Sequence, residues 1–250
     1  AAITAPSART KRCTVMRPKT SPLGPKRIGA RFARGLSEMI ALIRCRDGLT
    51  KNQRLTTGKL NMRKIRIFEH ISLDGVIEHD DGYAYGAWTA AYRTPAGLAA
   101  LLEAYGTGFD LLLGRHTYDL WSGFWPKAGN HPMAERLNAA TKYVATHRPD
   151  SLEWGPVNAL GADIVAGVRD LRATDGPDLI LAGSSTLTSG LLEQGLVDEL
   201  VLCIYPVLLG RGKRLLSDRV EARELAFVST KTTPTGVLLN TYRYVGALRA

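Results

Sequence analysis

Cysteine is scarce in this chain: three in 250 residues, Cys13, Cys45 and Cys203. The count is odd, no two are close together, and neither Cys-x-x-Cys nor His-x-Glu occurs. This excludes a disulfide framework and the paired-ligand zinc sites. It points to a reducing, cytoplasmic compartment, with Cys203 a small buried hydrophobe in an apolar run. His70 and His79 have no partners at metal-ligand spacing, so no metal is expected. No apolar run approaches the roughly 20 residues that a membrane-spanning helix needs. Acids are nearly missing from residues 1–61, where Glu38 and Asp47 face 14 Lys and Arg, a net of +12. Residues 62–250 carry 19 basic and 21 acidic side chains, a net of −2. The overall charge of +10 therefore belongs to the leading segment. It gives the remainder no reason to bind nucleic acid or a membrane surface.

Residues 1–61 hold Pro6, Pro18, Pro22 and Pro25 among many Arg, Lys, Ser and Thr residues. They read as a basic, disordered leader with one short helix from Arg34 to Arg44. Three readings of it stand. It is an Arg-rich, acid-poor transit peptide, a basic tail for nucleic acid or membrane, or sequence upstream of a natural start. Met62, where charge and composition change together, favours the third. Residues 62–250 read as the folded domain, and 45% hydrophobic content suffices for a substantial core.

Within that domain, 64–72 alternates as a strand and ends in the turn Asp74-Gly75, with a second turn at Asp80-Asp81-Gly82. Thr94-Pro95 opens a helix carrying Leu98, Leu101, Leu102 and Tyr105. Strands follow at 109–113, 143–145, 179–182 and 199–207. Short helices are expected at 117–122 and 132–139, with Phe124-Trp125-Pro126 breaking the first. Asp163 caps a helix through Leu171. Ser184 or Ser185 caps another that Gly195 ends. A hairpin of 225–232 and 237–245 around Pro234-Thr235-Gly236 closes the chain. The pattern predicts an α/β, three-layer fold: a mixed, mostly parallel sheet with a C-terminal antiparallel hairpin.

Two strand-to-helix junctions stand out. Leu111-Leu112-Leu113 runs into Gly114-Arg115-His116-Thr117-Tyr118, and Leu179-Ile180-Leu181-Ala182 into Gly183-Ser184-Ser185-Thr186. A glycine between a buried strand and a helix start exposes backbone N–H groups at the positive end of the helix dipole. An arginine beside it supplies a permanent cation suited to phosphate. Two such junctions point to a nucleotide lying across the carboxyl ends of the strands.

With Ile71-Ser72-Leu73-Asp74-Gly75 before them, and Gly195-Leu196-Val197-Asp198-Glu199-Leu200 and Pro206-Val207-Leu208-Leu209-Gly210-Arg211-Gly212 after them, residues 62–250 resemble the dihydrofolate-reductase-like superfamily. The branch resembled most holds the riboflavin-biosynthesis reductase (C-terminal) domain and many uncharacterised bacterial dihydrofolate reductase family proteins. The resemblance implies an NADPH-dependent reductase of a small conjugated substrate, pterin-like or pyrimidine-like. It implies that Gly114, Arg115, His116 and Thr117 hold cofactor phosphates. Thr146, His147 and Arg148 would meet the adenosine 2′-phosphate, and Gly183, Ser184, Ser185 and Thr186 the pyrophosphate. Asp74 is the candidate catalytic acid or polar group, and Trp88 and Tyr85 the candidate substrate-lining residues. A homodimer through the last strands is also implied. The chain departs from the family in four respects. Ala182-Gly183 replaces a glycine pair. Ala96, Gly97 and Leu98 stand where dihydrofolate reductases place an acid, so dihydrofolate is not the expected substrate. Val76 follows Asp-Gly where the riboflavin branch has a basic residue, and the zinc deaminase half that accompanies that branch is missing. A non-catalytic nucleotide-binding or sensor protein is the alternative. A valine at Gly183 is expected to block dinucleotide binding with the fold intact.

Overall fold

The computed structural model describes residues 62–79, 82–217 and 220–249. The expectations for residues 1–61, and for Asp80 and Asp81 in the second turn, lie outside the described residues. Eight strands form one sheet: β1 (Ile65–Ser72), β2 (Asp110–Gly114), β3 (Lys142–Ala145), β4 (Val157–Ala159), β5 (Leu179–Ala182), β6 (Glu199–Tyr205), β7 (Arg223–Thr232) and β8 (Leu238–Ala247). Their spatial order is β4-β3-β2-β5-β1-β6-β8-β7. The first six are parallel, and β8 and β7 add antiparallel to β6. The mixed sheet with its terminal hairpin is the predicted one. β4 was not predicted, because its three residues, one half-buried and two exposed, sit on the sheet edge and carry no periodic signal.

Among the described residues five α-helices cover the sheet: α1 (Pro95–Tyr105), α2 (Arg115–Phe124), α3 (Pro132–Ala139), α4 (Ile164–Arg172) and α5 (Ser185–Glu193). Local chemistry sets their starts. Thr94 Oγ1 accepts from Gly97 N–H at 3.0 Å, and Asp163 Oδ1 from Ala166 N–H at 3.0 Å. Each satisfies an orphan donor of the first turn. On one face of the sheet, Phe68, Leu111, Leu113, Ile180 and Cys203 pack against Tyr105 of α1, Tyr118 of α2 and Leu137 of α3. On the other, Ile65, Ile67, Leu112 and Leu181 pack against Val168 of α4 and Leu187 and Leu191 of α5. The central strands are apolar on both faces because both are covered. At the far edge β7 and β8 expose Phe227, Val228 and Val245.

The N-terminal ends of the strands are held by charge. Arg63, 3% exposed, pairs with Asp110 at the start of β2 and donates to Pro177 O at 2.6 Å. Asp110 also accepts from Thr141 N–H ahead of β3 at 3.1 Å. Arg172 meets both oxygens of Asp198 at 2.9 and 3.0 Å, and Asp198 accepts from Ile65 N–H at 2.8 Å. This end of the sheet is therefore cross-braced, and the opposite end is left to loops. We expect Asp110→Ala to lower stability by about 3 kcal/mol in urea denaturation, since removing one partner leaves a buried guanidinium uncompensated. A loss below about 1 kcal/mol would show that the pair is dispensable.

Candidate functional site

The parallel strands β3, β2, β5, β1 and β6 all end on one rim. Helices α2 and α5 start directly from the neighbouring strands β2 and β5, where Leu113 is in register with Ala182. Their N-termini therefore stand side by side. First-turn N–H groups have no acceptor within the helix, and the dipole makes this end positive. Two such ends on adjacent strands form one anion-attracting mouth.

The two junctions interlock. A Cβ on Gly114 would lie 2.1 Å from Ser184 Oγ, and one on Gly183 would lie 2.6 Å from Thr117 Oγ1. Each glycine leaves room for a hydroxyl of the other junction. Gly183 has φ +62, and Ser184 is a non-glycine residue in the left-handed region at φ 56. That conformation costs roughly 1–2 kcal/mol and persists only where neighbours enforce it. This corrects one expectation: a valine at Gly183 does not leave the fold intact, because both its φ and Thr117 oppose a side chain. Thr117 and Ser185 are buried, Gly183, Ser184 and Arg115 half-buried, and His116 and Thr186 exposed.

Beneath the second junction lies Glu69 of β1, 5% exposed. Gly183 N–H donates to its Oε2 at 2.9 Å, and His70 N–H to its Oε1 at 3.1 Å. The Gly183 N–H is thus spent inside the protein, and the donors offered to an anion come from residues 184–186. Burial pushes the Glu69 carboxyl up to about 8, with the two N–H bonds opposing. Sequence reasoning passed over Glu69 as part of an alternating strand. Its parity with Ile65, Ile67 and Ile71, all buried, was the available signal.

At the first junction three of the predicted residues, Arg115, Thr146 and Arg148, converge. Arg115 Nη1 donates to Thr146 Oγ1 at 3.3 Å, to Arg148 O at 2.9 Å and to Ser151 Oγ at 2.7 Å. Its Nε pairs with Asp119 Oδ1 at 2.7 Å, and Arg148 approaches Asp119 Oδ2 at 3.5 Å. Two guanidinium groups thus share one carboxylate, leaving a net positive charge. Asp119 and Ser151 were not anticipated: Asp119 is one turn along α2, and Ser151 joins only when the loop after β3 folds back. His147 is exposed nearby in sequence. A groove of about 280 Å³ lined by Tyr118, Asp119, Ser151 and Trp154 borders this cluster. A second of about 420 Å³, lined by Ser185, Lys213, Arg214 and Ser217, borders the start of α5.

Asp74, the candidate catalytic acid or polar group, is held by hydrogen bonds that bear on the acid role. Its carboxylate accepts from Ser72 Oγ at 2.6 Å, Leu209 N–H at 3.1 Å and Gly210 N–H at 2.7 Å. These bonds hold it down to about 2, led by the Ser72 hydroxyl. A carboxylate so held has no proton to give near neutrality, so it clamps the loop after β6. The two aromatic candidates pack on different rings. Trp88 donates Nε1–H to Glu78 O at 2.8 Å and packs edge-on against Tyr205 at 5.1 Å. Tyr85 instead packs on Tyr83 at 5.4 Å, under the Arg211 guanidinium at 5.2 Å. Among the described residues no cluster of His, Cys, Asp or Glu is placed to hold a metal ion. No described helix is long and apolar enough to cross a membrane.

The layered, mostly parallel sheet with two helix starts at its carboxyl rim defines an α/β domain of a single architectural class. The family model of the RibD C-terminal domain matches residues 63–239, and the chain belongs to that family. Bacillus subtilis (strain 168) YyaP, an uncharacterised protein, is 30% identical over 195 residues, covering 76% of this chain and 100% of that protein. A Shewanella sp. PV-4 protein named for riboflavin biosynthesis superposes with TM-score 0.57 at 24% identity, over 73% of this chain and 99% of that one. The Thermotoga maritima diaminohydroxyphosphoribosylaminopyrimidine deaminase/5-amino-6-(5-phosphoribosylamino)uracil reductase gives TM-score 0.54 at 15% identity, over 74% of this chain and 57% of that one. These structures share the fold.

Two predictions follow from this geometry. Gly114→Ala should destabilise the protein by about 1–3 kcal/mol, as overpacking does. Adding Ser184→Gly should recover most of it, because that change removes both the clashing hydroxyl and the left-handed strain. Additive losses in chemical denaturation would show that the two junctions are uncoupled. For Glu69, the unfolded carboxyl ionises near 4.5 and the folded one near 8. Its contribution is therefore complete below about pH 4.5 and is lost as pH rises to about 8. In Glu69→Gln this slope should vanish from a series of melting curves; an unchanged slope would assign it elsewhere.

Proposed function

We propose that the protein is an NADPH-dependent reductase of a small, planar, pyrimidine-like substrate. The observation that carries this reading is the paired helix N-termini, locked by glycine contacts and flanked by Arg115 and Arg148. The donor set fits a dinucleotide diphosphate: first-turn N–H groups of α2 and α5, the hydroxyls of Ser184 and Ser185, and two cations against one carboxylate. Arg115, Thr146 and Arg148 suit an additional phosphate, which favours NADPH over NADH. When bound, the coenzyme supplies a hydride. The chain's own residues bind its phosphates, keep the junctions rigid and orient the reacting rings. Membership in the RibD C-terminal domain family supports the same reading. We further propose a homodimer that covers the exposed apolar residues of β7 and β8, and a reducing, intracellular setting suited to the free thiol of Cys203.

Titration of the full chain with NADPH and NADH tests the cofactor. Saturable NADPH binding is expected, and Arg115→Ala should weaken it by about ten-fold or more, as loss of a charge-assisted hydrogen bond does. NADH should weaken much less. Equal losses for both would remove the phosphate role, and no saturable binding of either would remove the reductase reading. Turnover is then assayed with 5-amino-6-(5-phosphoribosylamino)uracil, the compound in the Thermotoga relative's name. Binding without turnover of this or other pyrimidines would leave a nucleotide-binding module.

A further inference from the structure

One ionisable pair near the rim has no part in the cofactor mouth. His70 of β1 and Tyr205 of β6 lie on adjacent parallel strands and meet through Nδ1 and Oη at 2.7 Å. Tyr205 is buried, and His70 is half-buried. Trp88 and Tyr92 stand edge-on to the Tyr205 ring at 5.1 and 5.3 Å. The pair ends the same row of strands that carries the mouth. From β3 to β6 is four strand spacings, or about 19 Å, the length scale of an extended dinucleotide. With phosphates at β2 and β5, the reactive end falls over β1 and β6. Resting on the reductase reading, we propose that His70 is a substrate-binding residue. Its Nε2–H, set in place by Tyr205, donates a hydrogen bond to an acceptor atom of the substrate's planar ring.

The protonation state follows from the surroundings. A buried phenol proton needs an acceptor, and the acceptor Tyr205 has is His70 Nδ1. Burial also pushes Tyr205 above its ordinary range, so it keeps that proton. Nδ1 is then an acceptor, and the single imidazole proton sits on Nε2. Burial, with His79 and Arg93 nearby, pulls His70 down to about 4. The ring stays neutral near pH 7 and keeps one defined tautomer. A neutral imidazole donor suits a carbonyl or ring nitrogen, and the neighbouring Trp88 and Tyr92 rings suit a flat ring. The exposed Arg93 places a cation by the same pair, which favours an anionic substituent on that ring.

The test uses ¹⁵N-histidine-labelled full-length protein loaded with NADP⁺, with 5-amino-6-(5-phosphoribosylamino)uracil as probe. The His70 nitrogens are expected to report the Nε2–H tautomer before addition, and the Nε2 resonance should move on addition. His70→Phe should raise KM for the probe by about ten-fold, the size of one lost hydrogen bond, with NADPH affinity within about two-fold of wild type. Tyr205→Phe, which keeps the ring volume, should mix the two tautomers and raise KM less. If His70→Phe does not fold, the Tyr205→Phe tautomer shift and the wild-type Nε2 shift still decide. NADPH binding with an unmoved Nε2 resonance, or with unchanged KM in His70→Phe, overturns the inference alone. Failure to bind NADPH overturns the reductase reading, and the inference with it.

Discussion

The contact between the two strand-to-helix junctions is the constraint on which the site depends. Gly114 must be bare because Ser184 fills the space its side chain would occupy, and Gly183 must be bare because of Thr117. These reciprocal contacts bring the first turns of α2 and α5 together and hold Ser184 in a left-handed conformation it would otherwise avoid. A loosely packed pair of helix starts would attract anions too, but would not present their N–H groups at a set separation. Pre-organisation of this kind removes an ordering cost from binding.

Charge is partitioned along the strand direction. At the N-terminal ends, Arg63 with Asp110 and Arg172 with Asp198 satisfy one another and brace the sheet. At the carboxyl ends three acids differ through their surroundings. Asp74 has three donors and stays ionised as a loop clamp. Glu69 is buried with two N–H donors and holds its proton to about 8. A neutral Glu69 supports the Gly183 turn without putting a negative charge under the mouth. Asp119 balances two arginines at the surface.

Much of the fold was legible. Thr94-Pro95 and Asp163 mark helix starts because their capping chemistry is local. Apolar runs ending on Gly114 and Gly183 mark buried strands because a covered parallel sheet needs apolar residues on both faces. The loop after β3 was legible in part. Thr146 and Arg148 could be named, but Asp119 and Ser151, which share Arg115 with them, could not. Their association comes from a loop folding back, and no spacing in the chain encodes it. Asp74-Gly75 reads as a turn, but the donors that keep Asp74 ionised come from Leu209 and Gly210, more than a hundred positions away.

Local pattern was enough to indicate a three-layer α/β domain, two glycine-ended strand-to-helix junctions and the arginine beside one of them. Period, capping and backbone permissiveness act over a few residues and survive in a linear string. Only the packed sheet decided that the junctions interlock, that Glu69 lies beneath one of them, and that His70 meets Tyr205. Those outcomes depend on strand order and register, which bring distant residues within hydrogen-bonding distance and strip water from them. Desolvation, the force that sets the protonation of Glu69 and His70, exists only after the chain has folded.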